Sequence, residues 1–413
     1  MMISVPLLSQ ACNVARFIAA SLRNGTVRYY VGDLPGFYKA LNAAGVAYVV
    51  LQWSERVPMT PGTEQMKADD IDHLVADRDM RRVMSIAACH PGPVKTDYYS
   101  VGGRRGSSYK SLPYYMPKLA QRILDARMLD PRGFFRPSPR DEFFAFAYHL
   151  CYHKGLSSGL EGGLPACPPT NQTMAPYEAE LRRLAVTAEF DSLPEPPTLS
   201  SLHDMLHVYG WAIPADLMTR WPKRHAFLDA LLSREAKRAQ PLIDAAQGHT
   251  IFVLREDCDT TELEQLALSM IAERFVILRI LRLDSAMRDR LVARTRGGSW
   301  VEKRRGVVAP TVVVICRDAE APGPIPVKMS AEKVTRRYPH LSNTDLLIKR
   351  NIRDAVNAAA GPRQRRVVIH ATDNAFECAE VFLALFEKRA LSEMQAILGC
   401  RVARTTVLQG RGP

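Results

Sequence analysis

Two aspartates with one residue between them, Asp70 and Asp72, lead into an apolar run in the segment Ala68-Asp69-Asp70-Ile71-Asp72-His73-Leu74-Val75. A β-strand sends alternate side chains to the same face, so these carboxylates point one way while Ile71 points into a core. Two carboxylates side by side repel, and that cost is tolerated where a cation sits between them. Hard oxygen donors suit Mg²⁺, which takes few protein carboxylates and completes its octahedron with substrate phosphates. The pattern therefore predicts a metal-dependent phosphate-transfer site. Read alone, Asp-x-Asp is more often the start of a strand leaving a solvated acidic turn, so its surroundings have to decide.

Those surroundings have a definite order. Residues 34–44 are spaced as an amphipathic helix stopped by Gly45, and Val46 to Leu51 form a buried strand. The acidic strand follows a loop, residues 79–88 are helical in pattern, and Val94 to Tyr99 form a further strand carrying a third carboxylate, Asp97. Helix, strand, acidic strand, helix, acidic strand resembles the nucleotidyltransferase superfamily. By that resemblance Asp70, Asp72 and Asp97 hold Mg²⁺ against a nucleoside triphosphate, and Asp97 helps to activate the acceptor hydroxyl. The family's Gly-Ser after its first strand stands here as Gln52-Trp53-Ser54, so the serine alone matches, and Ser54 becomes the candidate on the triphosphate.

Other stretches offer positive charge and helix. The turn Gly102-Gly103-Arg104-Arg105-Gly106-Ser107-Ser108 combines glycine N–H groups with two arginines, a phosphate cradle or equally a hairpin tip. Asp141 to Gly155 is a helix with Ser138 as N-cap, acids in its first turn, His153 and Lys154 in its last, and Gly155 ending it. His149 and His153 share a face at zinc-ligand spacing, but the glutamate that zinc proteases place beside the first histidine is missing, which points away from zinc. The alternatives are packing, or a helix whose His153 and Lys154 reach towards substrate phosphates. Helical patterns broken by prolines then run to residue 246.

Beyond His249 strands and helices alternate: strands at residues 250–255, 275–283, 310–316 and 366–370, helices at 261–273, 285–294, 343–359 and 375–389. The pair Ile352-Arg353-Asp354 and Ile369-His370-Ala371-Thr372-Asp373, with Glu377 beyond, resembles the end of the nucleoside diphosphate kinase family over roughly residues 250–391. By that resemblance His370 accepts a phosphoryl group and Arg353 holds phosphate. Arg255 stands where the family has lysine, Val367 where it has asparagine, and Ala371 where it has glycine. Arg255 and Arg296, the latter at the turn before Gly297-Gly298, join Ser54 and Arg353 as nucleotide-binding candidates.

Composition bounds the partners. A formal charge of +12 favours acidic partners such as nucleotides, anionic glycans, nucleic acid or a membrane surface, without choosing among them. No RNA- or DNA-binding motif accompanies the basic clusters, which places a phosphorylated small molecule first. Eight scattered cysteines without a Cys-x-x-Cys pair suit neither zinc nor a disulfide framework and predict a reducing cytoplasm. Residues 5–22 are apolar, but polar side chains interrupt them and no Lys or Arg precedes Arg16. They predict an amphipathic helix packed on the protein, with membrane-surface docking as the lesser reading.

The expected fold class is α+β: a nucleotidyltransferase-like α/β core over residues 1–135, a helical middle over 136–247, and a ferredoxin-like, nucleoside diphosphate kinase-like α+β domain over 248–413. The expected function is a cytoplasmic Mg²⁺-dependent transferase moving a nucleotidyl or phosphoryl group from a nucleoside triphosphate such as ATP to a hydroxyl, with a saccharide or glycan precursor as candidate acceptor. The alternative is a non-catalytic nucleotide-sensing or scaffold protein. Base identity and oligomeric state stay open.

Overall fold

The computed structural model describes residues 5–22, 25–59, 70–110, 112–169, 175–218, 221–258, 260–295, 301–302, 306–307, 309–318, 346–359 and 368–399. The fold is mixed α+β and divides into two compact units, the first comprising residues 1–213, 220–232 and 301–307, the second 214–219, 233–300 and 308–413. No helix among the described residues is long and apolar enough to cross a membrane, and the seven described cysteines are all free.

The first unit begins with helix α1 (Val5–Leu22), then β1 (Val27–Val31), α2 (Leu34–Ala43), β2 (Tyr48–Val50), β3 (Ile71–Val75), α3 (Met80–Cys89) and β4 (Val94–Ser100). The strands lie in the order β1-β4-β3-β2, with β3 and β4 parallel and the other two pairings antiparallel. Alternation sorts this sheet's faces. Val27, Tyr29, Val31, Ile71, Val75, Val94 and Tyr98 pack into one core with Leu34, Phe37 and Leu41 of α2 and Val83, Met84 and Ala87 of α3. Arg28, Asp72, Lys95 and Asp97 occupy the intervening positions and so share the other face.

Strand β1 lies at the edge of the sheet. Asn13 of α1 covers it: its amide Nδ2 donates to the Tyr30 carbonyl at 3.2 Å, and the Tyr30 N–H donates back to Oδ1 at 3.4 Å. The amphipathic helix expected over residues 5–22 is therefore present and tied to the protein at Asn13.

Helix α4 (Pro117–Asp125), a small ribbon of β5 (Met128–Leu129) and β6 (Phe135–Arg136), and α5 (Pro139–Tyr148) follow. Ser138 caps α5 as expected, its Oγ accepting from the Asp141 N–H. The helix then does not run on evenly to Gly155. Its last turn, His149–Lys154, widens to π geometry, a local departure that is frequent at functional sites. Gly155 ends it at φ +56°, and an added Cβ there would lie 2.5 Å from the His225 ring. Helices α6 (Ala175–Thr187) and α7 (Leu199–Val208) pack against α5, and α8 (Ala215–Met218), α9 (Ala226–Arg238) and α10 (Gln240–Ala245) come next.

The second unit carries β7 (His249–Arg255), α11 (Thr261–Ala272), β8 (Phe275–Arg282), α12 (Ser285–Arg294), β11 (Pro310–Asp318), α13 (Leu346–Ala359), β12 (Ile369–Ala371), α14 (Ala375–Phe386) and α15 (Ala390–Gly399); the two-residue strands β9 (Val301–Glu302) and β10 (Gly306–Val307) pair with each other and belong to the first unit. The main sheet runs β12-β7-β11-β8 and is antiparallel throughout. Phe252, Leu254, Val312 and Val314 form one core with Ala267 and Ile271 of α11 and Ile352 and Val356 of α13. Ile251, Val253, Val313 and Ile315 form another with Leu291 of α12, Phe382 of α14 and Met394 of α15. Both faces of this sheet are covered, and its strands read as near-continuous apolar runs for that reason.

A candidate carboxylate site on the open sheet face

Register brings the acidic residues together. Arg28 pairs with Asp97 across β1 and β4, and Asp97 pairs with Asp72 across β4 and β3, so one transverse row reads Arg28, Asp97, Asp72. The row ends at Leu51, whose N–H donates to the Asp72 carbonyl at 2.8 Å. Asp70, two residues before Asp72, stands on the same face, and Lys95 stands two residues before Asp97.

Basic residues already hold two of the three carboxylates. The Arg28 guanidinium forks onto Asp97, Nε to Oδ1 and Nη2 to Oδ2 both at 2.9 Å, and Nη2 also reaches Asp70 Oδ2 at 3.5 Å. Lys95 pairs with the other oxygen of Asp70. Asp97 is nearly closed from solvent, its side chain 7% exposed. The Asp72 carboxylate takes no hydrogen bond or ion pair among the described residues; the residue keeps part of its surface open, while its carboxyl group lies deep among protein atoms. Burial first, then the charges of Asp97 and Asp70, push its pKa up to about 8, against the pull of Lys154 and Lys95. Without a further cation, Asp72 holds a proton at neutral pH.

The donor set fits Mg²⁺ in its chemistry: oxygen only, three carboxylates on one face, and one of them without a counterion. It is not arranged as a finished cage, since no group of three or more His, Cys, Asp or Glu side chains among the described residues stands ready to hold a metal. A cation entering here meets Asp72 directly and competes with Arg28 and Lys95 for the other two.

The turn after β2 abuts this row. Gln52 and Trp53 both adopt left-handed backbone, at φ +33° and +53°, which for non-glycine residues costs on the order of 1–3 kcal/mol each. Two bonds hold it, the first of them buried. The Ser54 hydroxyl donates to Glu142 Oε1 at 2.9 Å, and the Gln52 amide donates to the Tyr114 hydroxyl at 3.2 Å. Ser54 is thus buried and bonded to α5. Glu142, whose pKa burial raises, also accepts from Arg136 at 3.3 Å.

The widened turn of α5 lies over the same region. The Tyr114 hydroxyl, carrying the Gln52 bond, sits 2.6 Å from His149 Nδ1, while its ring stacks on His153 at 4.0 Å; His153 Nε2 donates to the Tyr114 carbonyl at 3.1 Å. Burial holds both imidazoles neutral, His149 well below the ordinary histidine range and His153 down to about 3. Neither offers charge to a phosphate, so packing accounts for the pair and only Lys154 of the expected His153 and Lys154 lies among the charges acting on Asp72. The glycine-rich turn is similarly self-contained. The N–H groups of Gly102, Gly103, Arg104 and Ser107 all bond within the protein, to Asp77, Ser100 and Arg104, and a Cβ on Gly103 would lie 2.5 Å from the Pro113 nitrogen. Those four N–H groups are therefore already engaged within the protein.

In the second unit, His370 sits on β12 opposite Val253 with part of its surface open. The chain after it is tightly bonded, the Asp373 N–H donating to Glu377 at 2.8 Å and Asn374 capping α14. Arg255, at the end of β7, is fully buried at 0% exposure. Arg353 lies in α13, its side chain outside the description, and Arg296 lies outside the described residues. The three aspartates belong to the first unit and His370 to the second.

Sequence reasoning did not foresee Arg28, Lys95, Gln52, Tyr114 or Glu142. Lys95 had a signal, because its spacing of two from Asp97 in a strand puts both on one face. The comparisons add no family: no protein-family model matches this chain, and no curated protein matches it.

Proposed function

We propose that the first unit is a Mg²⁺-dependent transferase that moves a nucleotidyl or phosphoryl group from a nucleoside triphosphate to a hydroxyl, with a saccharide or glycan precursor as candidate acceptor. The observation that carries this reading is the row of Asp97 and Asp72 in register, with Asp70 beside them and Asp72 lacking a counterion. Asp97 and Asp72 stand directly opposite each other, and Arg28 offsets only the charge of Asp97. Their order along the chain supports a nucleotidyltransferase-like fold.

Asp72, with Asp70 and Asp97, would hold Mg²⁺, which supplies charge neutralisation for the phosphates at the reacting centre. The chain's own residues do the rest. Lys154 and Lys95 place positive charge around Asp72 and attract the anionic donor. Arg28 fixes the Asp97 carboxylate in one orientation, and the Leu51 N–H fixes the backbone under Asp72. Asp72 would serve as a metal ligand, and Asp97, fixed by Arg28, would help to activate the acceptor hydroxyl. The test is incubation of the protein and Mg²⁺ with each labelled triphosphate and a panel of glycans. Label transfer to an acceptor supports the reading; Mg²⁺-independent nucleotide binding without transfer sinks it.

The second unit supports a ferredoxin-like, nucleoside diphosphate kinase-like reading by its strand order: numbered within the unit, β7, β8, β11 and β12 run 4-1-3-2 in an antiparallel sheet. The complete burial of Arg255 speaks against a phosphate contact from that side chain, and we read this unit as a nucleotide-binding relic resting on Arg353.

A further inference from the structure

We infer that Trp53 and Tyr177 form a stacking platform for the nucleobase of the donor, an assignment that rests on the transferase reading above. Trp53 leaves the strand two residues after Leu51, whose N–H is bonded to the Asp72 backbone, so its Cα lies within about 8 Å of the Leu51 Cα. Its indole is only partly buried, so burial in a core does not account for holding a bulky residue at φ +53°. The clamps from Ser54 to Glu142 and from Gln52 to Tyr114 instead fix where the ring is presented.

The ring's surroundings suit a flat ligand. Phe146, fully buried, backs the indole edge-on at 5.5 Å, and the half-buried Tyr177 meets it at 5.8 Å and 63°. The Arg56 guanidinium, from an exposed residue, lies over the indole 3.7 Å from its centroid, so a base stacking on that face takes the place of a planar cation from a surface side chain. Lys154 joins the platform to the carboxylates: its ammonium lies 5.4 Å from the Tyr177 ring and is one of the charges acting on Asp72. A nucleoside triphosphate spans those two features, with a π-faced base at one end and phosphates at the other. Stacking accepts every base, since each has a π-face, so the platform predicts affinity with little base preference.

The experiment measures dissociation constants with Mg²⁺ for ATP, GTP, CTP, UTP and inorganic tripolyphosphate, by calorimetry on the full chain. Trp53→Ala is expected to weaken all four nucleotides by about tenfold to a hundredfold and leave tripolyphosphate unchanged, while Trp53→Phe keeps most of the affinity. Tyr177→Ala should give a smaller loss of the same kind. An equal loss for tripolyphosphate would show that Trp53 only shapes the turn, and a loss confined to a saccharide acceptor would make the platform an acceptor site; either result overturns the assignment. Unchanged nucleotide affinity in Trp53→Ala removes the platform and leaves the transferase reading standing, whereas a wild-type protein that binds no nucleotide removes both.

Discussion

Arg28 and Asp97 are cross-strand partners whose guanidinium and carboxylate meet through two parallel contacts of 2.9 Å. The pair neutralises one member of an acidic triad from within, so a divalent cation and Arg28 are rivals for the same oxygens. Arg28→Ala is expected to bind Mn²⁺, used as a spectroscopic stand-in for Mg²⁺, several-fold more tightly. The variant also leaves a nearly buried carboxylate unpaired, which costs about 1–3 kcal/mol of stability. Electron spin resonance titration and thermal melts read the two effects; weaker Mn²⁺ binding in the variant would end the rivalry.

Asp70→Asn and Asp72→Asn should each lower Mg²⁺ affinity and turnover by orders of magnitude while the fold persists. Asp97→Asn should act mainly on turnover, and an effect on stability alone would make Asp97 a structural residue.

The pH dependence of Asp72 has a definite sign. Its folded pKa, about 8, lies above the ordinary carboxylate value, so between roughly pH 4 and 8 the folded state holds a proton that the unfolded state has lost. This contribution to stability is complete below pH 4 and disappears as pH rises through 8. The melting temperature of Asp72→Asn should therefore rise relative to wild type across that window, by about 2–4 °C for each kcal/mol recovered. Mg²⁺ added to the wild type should act in the same direction. A constant offset from pH 4 to 8 would show that Asp72 titrates normally.

Three buried histidines of the first unit, with the partly buried His225, act the opposite way. His73 and His225 are held down to about 4, His153 to about 3, and His149 well below its ordinary value, in each case chiefly by burial. Below about pH 6.5 the unfolded chain takes up protons that the folded unit refuses, so stability falls with acid from there downward. Urea midpoints of the wild type measured between pH 7 and 4.5 should decline steeply, and His153→Gln should flatten the slope.

For the second unit, the burial of Arg255 leads us to expect no acid-labile phosphohistidine after incubation with γ-labelled ATP. Arg353→Ala should nevertheless weaken nucleotide binding by removing a charge-assisted phosphate contact. A stable phosphoryl group on His370, lost in His370→Ala, would make this unit a catalyst in its own right.

Much of the acidic sheet face was legible in advance because its signals are periodic. Asp70 and Asp72 share a face by the two-residue repeat, and the strand holding Asp97 follows from its own alternation. What could not be read is cross-strand register: that Arg28, Asp97 and Asp72 align depends on how three separate segments slide against one another. The left-handed backbone at Gln52 and Trp53 left no trace either, since neither residue type favours it. The widened turn at His149–Lys154 was hidden for a related reason. Caps at Ser138 and Gly155 mark a helix's ends and say nothing of how its last turn is wound.

Asn13 lays a side-chain amide against the Tyr30 peptide group, donating and accepting as a neighbouring strand would. This side chain joins the Gly92 N–H, which donates to the same Tyr30 carbonyl at 3.1 Å, in occupying a border that would otherwise be offered to an extended peptide. A chain cut to begin after residue 24 would keep its carboxylate row and lose that closure. Pro91 and Gly92 would still shield one end of that edge, so self-association of such a fragment is expected through the Tyr30 N–H that Asn13 had satisfied.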